Sequence, residues 1–78
     1  MPDKLLFKKV EAGKYVNQWH STSSDLFDPD FAIVEHYPEN LKRGVFKFEL
    51  FAYGSSYAFD KTIEGLKELA QSVYTEVG

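Results

Sequence analysis

The chain has 78 residues and a net charge of −3, is 44% hydrophobic and 17% aromatic, and contains no cysteine. Its length is that of one folding domain, expected to span 1–78, and its apolar content is too high for a disordered chain. The missing thiols exclude disulfides, thiolate zinc sites, iron–sulfur ligation and cysteine nucleophiles, and the acidic balance disfavours a strongly basic nucleic-acid binder.

Lys4–Val10 (KLLFKKV) is short and apolar, and Lys14–Ser21 (KYVNQWHS) alternates, so both are expected to be strands. A tight turn on Ala12-Gly13 would pair Glu11 with Lys14, Val10 with Tyr15, Lys8 with Asn17 and Leu6 with Trp19. That register gathers Leu6, Lys8, Val10, Tyr15, Asn17 and Trp19 on one sheet face. Leu5, Phe7, Lys9, Val16, Gln18 and His20 fall on the other. Residues 21–30 (STSSDLFDPD) are irregular, with Pro29 blocking a regular element.

Phe31–Tyr37 (FAIVEHY) is the third expected strand, Pro38–Arg43 a turn, and Gly44–Tyr53 (GVFKFELFAY) the fourth. Alternation along the fourth places Phe46, Phe48, Leu50 and Ala52 on one face and Val45, Lys47, Glu49, Phe51 and Tyr53 on the other. Gly54-Ser55-Ser56 ends that strand. From about Asp60 to Val77 the period becomes helical, with Ile63, Leu66, Leu69, Ala70, Val73 and Val77 forming one apolar stripe. Asp60 or Thr62 is positioned to cap it, and Gly65 inside it implies a close approach to the sheet. The expected fold is α+β: a four-stranded antiparallel sheet built of two consecutive hairpins, with one C-terminal helix packed on one face. The Phe46/Phe48/Leu50 face is the natural seat for the helix.

No catalytic constellation emerges, and neither a cofactor nor a metal is implied. His20 and His36 lack a third ligand at metal spacing. Asp25, Asp28 and Asp30 lack the turn glycine and bidentate Glu of a calcium loop. Ser21, Ser23, Ser24, Ser55 and Ser56 occur without a nucleophile elbow. His20, His36 and Glu35 are the remaining candidates for acid–base work.

A helix covers only one sheet face, so the other is left to meet a partner. The leading expectation is a non-enzymatic interaction or regulatory module, a homo-oligomer or the binder of another protein. Val45, Phe51 and Tyr53, helped by Val16 or Trp19, would form its contact. The alternative is single-stranded nucleic acid on a lysine-flanked aromatic face of Lys8, Lys9, Tyr15, Trp19 and Lys47. Four strands then a helix resembles the element order of dimeric positive-cofactor single-strand-binding domains, although no motif of that family is present and no residue carries over. The acids Asp25, Asp28, Asp30, Glu35 and Glu39 form a second candidate surface, suited to a basic partner. No apolar run approaches the ~20 residues of a membrane span and no basic start precedes an apolar stretch, so a cytoplasmic protein without a membrane role is expected.

Overall fold

The computed structural model describes residues 5–11, 13–21, 31–41 and 43–77, with backbone alone at Val77. Five strands, β1 (Phe7–Val10), β2 (Asn17–Ser21), β3 (Phe31–Glu35), β4 (Phe48–Ala52) and β5 (Ser55–Asp60), precede one helix, α1 (Ile63–Val77). The sheet is antiparallel throughout and its spatial order follows the chain, β1-β2-β3-β4-β5. The class is α+β, with a five-stranded sheet in place of the expected four. A short 3₁₀ turn at Pro38–Asn40 lies between β3 and β4.

The additional strand arises at Tyr53-Gly54. Both residues have positive φ, 52° and 85°, between the paired Ala52 and Ser55. Two left-handed residues in a two-residue loop match the twist of a hairpin. The chain therefore turns back on itself at Tyr53-Gly54, and Ser55-Ser56 open β5 rather than ending a strand. Asp60 accordingly belongs to β5, opposite Phe48, and the helix begins at Ile63 rather than near Asp60.

The first hairpin also departs from the expected register. Val10 pairs with Gln18, Lys9 with Trp19, Lys8 with His20 and Phe7 with Ser21. The shift is by an odd number of residues, which exchanges the faces of one strand relative to the other. Trp19 thereby shares a face with Phe7 and Lys9, not with Leu6 and Lys8. Burial explains the choice, because Phe7 and Trp19 both pack against the core and the Trp19 ring lies 6.3 Å from that of Phe48. The connection is longer than a tight turn, and Val16 N–H donates to the Glu35 carbonyl at 2.8 Å.

The core fills the space between α1 and the β3–β4 centre of the sheet. Phe31, Ile33, Leu50 and Ala70 are fully buried, Leu66 almost so, and Leu5, Phe48 and Ala52 complete the cluster. Ile63, Leu69 and Val73 of the expected stripe flank it, joined by Tyr74, whose ring meets Phe31 edge-on at 6.3 Å. Phe46 lies ahead of β4 and is half exposed, so the helix seat is Phe48, Leu50 and Ala52. The Gln71 carboxamide oxygen accepts from Leu5 N–H at 2.6 Å, tying the approach to β1 onto the helix.

Of the two expected capping residues, Thr62 caps the helix and Asp60 braces the turn before it. Thr62 Oγ1 accepts from Gly65 N–H at 3.3 Å, and Asp60 Oδ1 accepts from Lys61 N–H at 2.6 Å in the turn ahead of the helix. The neighbour that Gly65 accommodates is the Asp60 carboxylate, which a Cβ would overlap.

Candidate functional site

Strand alternation determines what the helix-free face carries. Val34 and His36 follow β3 onto it, Glu49 and Phe51 come from β4, and Phe59 lies opposite Glu49 on β5. A register irregularity beside Leu50 and Phe51 pairs Phe51 with Ser56 and leaves Tyr57 without a partner on β4. A bulge of this kind re-aims side chains. Here Ser56 turns its hydroxyl onto Glu49 Oε2 at 2.5 Å.

Glu49 is buried on this face at 8% exposure. His36 Nε2 lies 2.7 Å from its other oxygen, Oε1. Where the carboxylate is ionised it only accepts, and Nε2 is then the donor of this pair. The imidazole is held between two rings, Tyr15 edge-on at 5.2 Å and Phe59 stacked at 6.4 Å. Asn40, Leu41 and Val45 from the β3–β4 connection complete an open pocket of about 210 Å³ with His36, Glu49 and Phe59. Chemically, the carboxylate is the centre: it accepts from a hydroxyl on one side and an imidazole on the other. In a serine–histidine–acid relay the imidazole stands between hydroxyl and acid; here the carboxylate stands between them, so the cluster does not have the order of that relay.

The expected contact residues divide between surfaces. Val45 and Phe51 are half-buried on the helix-free side. Tyr53 is in the β4–β5 turn with its ring 5.3 Å from Phe31, and Trp19 is on the helix side against Phe48. The expected stacking platform divides too. Lys8 and Tyr15 belong to the helix-free face, whereas Lys9 pairs with Trp19 on the helix side. Lys47 Nζ reaches Glu35 Oε2 at 3.5 Å and lies 5.1 Å from the centre of the Phe48 ring.

Among the acid–base candidates, Glu35 is on the opposite face from His36 and accepts from Asn17 Nδ2 at 3.0 Å. His20 Nε2 lies 2.8 Å from Gln18 Nε2. Asp25, Asp28 and Asp30, with Ser23 and Ser24, lie outside the described residues. No group of three His, Asp or Glu side chains among the described residues is arranged to hold a metal ion. No helix among them is long and apolar enough to cross a membrane.

The Glu49–His36–Ser56 cluster is the feature that sequence reading missed. One signal was present: Glu49 is a single acid in an aromatic strand, at a position alternating with buried residues. Its partners come from two other strands, and the bulge that delivers Ser56 has no signature in the sequence.

No protein-family model, curated protein or solved structure matches the chain.

Proposed function

We propose that this domain is a non-enzymatic, cytoplasmic protein-interaction module that self-associates at the β5 end of its helix-free face. The observation that carries this reading is the contrast between the two sheet edges. β1 exposes Lys8 and Lys9, the usual protection of an edge against pairing. β5 is six residues long, has neither Lys nor Pro, and exposes Tyr57 and Phe59. An antiparallel edge is complementary to itself across a two-fold axis, which makes a second copy the simplest partner. Phe51, beside Tyr57, would extend the apolar contact onto the face.

Light scattering behind size exclusion over a range of concentrations tests the reading. The expected result is a dimer that Tyr57→Lys converts to monomer while the far-ultraviolet circular dichroism is unchanged. A wild-type chain that stays monomeric throughout the range would overturn it.

A further inference from the structure

We infer that the pocket over Glu49 is a binding site for a compact organic cation, a primary ammonium or guanidinium group. Glu49 is the one charged side chain among the described residues that is buried. A buried carboxylate is tolerated when its charge is matched. Its partners are a neutral hydroxyl, Ser56, and an imidazole, His36. Imidazole supplies a full positive charge only when both ring nitrogens are protonated. No lysine or arginine among the described residues reaches Glu49; Lys47, two residues away, is paired with Glu35 on the other side of the sheet. With His36 as the neutral imidazole, no described residue supplies a full positive charge to the carboxylate, which lines an open pocket.

The remaining lining suits a cation. Phe59 offers an aromatic ring beside the carboxylate, and an aromatic face attracts a cation within about 6 Å. Asn40 brings a side-chain amide whose oxygen can accept from an N–H donor. Leu41 and Val45 supply apolar walls for a short aliphatic stem. Each Glu49 oxygen already accepts one hydrogen bond and retains capacity for a second. An anion would meet the carboxylate unfavourably, and a neutral apolar ligand would leave its charge as it stands.

Phe59 lines this pocket and is also exposed on β5, so the cation titration is run on the Tyr57→Lys chain as well as on the wild type, and loss of the dimer and loss of the cation response are read separately. Backbone amide chemical shifts are followed while n-butylammonium or methylguanidinium chloride is added, with sodium chloride at matched ionic strength and n-butanol as controls. The expected result is a saturable change centred on His36, Glu49 and Phe59 with at least one of the two organic cations. Binding by one alone identifies which group the site takes. Glu49→Gln is expected to weaken binding about tenfold or more, and Phe59→Leu about threefold. Val45→Leu adds apolar bulk to the pocket wall and leaves Glu49 in place; it should weaken the response, which keeps the test decisive if Glu49→Gln does not fold. Tyr57→Lys should retain the response even where it abolishes dimers. Changes that track sodium chloride, an equal response to n-butanol, or full binding by folded Glu49→Gln would each overturn the inference.

Discussion

Gly65 and Asp60 form a pair whose energetics can be separated. A Cβ at Gly65 would lie 3.0 Å from Asp60 Cγ and 3.2 Å from Thr62 Oγ1, and would overlap the carboxylate itself. The carboxylate is not free to swing away, because Asp60 Oδ1 accepts from Lys61 N–H at 2.6 Å and Thr62 N–H at 3.4 Å. Alanine is favoured over glycine inside a helix by about 1 kcal/mol. Displacing Asp60 forfeits hydrogen bonds contributing about 1 kcal/mol each and adds strain. Gly65→Ala should therefore destabilise the wild-type chain. In an Asp60→Ala background the same change should stabilise by about 1 kcal/mol. Urea midpoints of the four chains measure this, and the same sign in both backgrounds would show that Asp60 does not set the requirement for glycine.

At the scale of elements, the β4–β5 hairpin depends on its turn. Gly54 has φ +85°, and nothing lies within 4 Å of the point to which a methyl group would project, so a side chain there meets backbone strain alone. Gly54→Ala should cost ~1–2 kcal/mol, seen as a lower melting temperature with an unchanged folded spectrum. An unaltered melting temperature would mean that the turn relaxes away from the left-handed region.

The helix and the central strands are legible in the sequence because their burial patterns are long and regular. Ile63, Leu66, Leu69, Ala70 and Val73 recur at helical spacing, and Phe48, Leu50 and Ala52 alternate. β5 is harder to read: SSYAFD is short and begins with two serines, and much of its strand character comes from pairing with β4. The register of β1 is equally remote from local sequence. A tight turn at Ala12-Gly13 satisfies Glu11 and Lys14 locally, but the register that forms buries Phe7 and Trp19 on the same side. In both cases a contact made elsewhere in the sheet outweighs a local preference. The helix-free face is legible as a surface, since one helix cannot cover both sides. Its polar centre is not, because His36, Glu49 and Ser56 converge only once three strands are in register.

For the molecule as a whole, the two edges differ in kind: lysines on β1, aromatics on β5. One end of the sheet carries exposed charge and the other exposed rings. The arrangement of the strands between those edges bears on how the chain reaches this state. Each strand pairs with the one next to it in sequence, so every ladder closes a loop between consecutive elements. Closing short loops carries a smaller entropic penalty than joining distant ones, and topologies rich in such contacts fold faster. The Leu5–Gln71 hydrogen bond, between residues 66 positions apart, closes a much longer loop. The main refolding phase, followed by Trp19 fluorescence after stopped-flow dilution, should fall at about milliseconds; a main phase of seconds would show that a step other than successive strand pairing limits the rate. Its consecutive strand order thus gives this sheet-rich chain a kinetic route assembled largely from neighbours, with little time spent as exposed, unpaired strands.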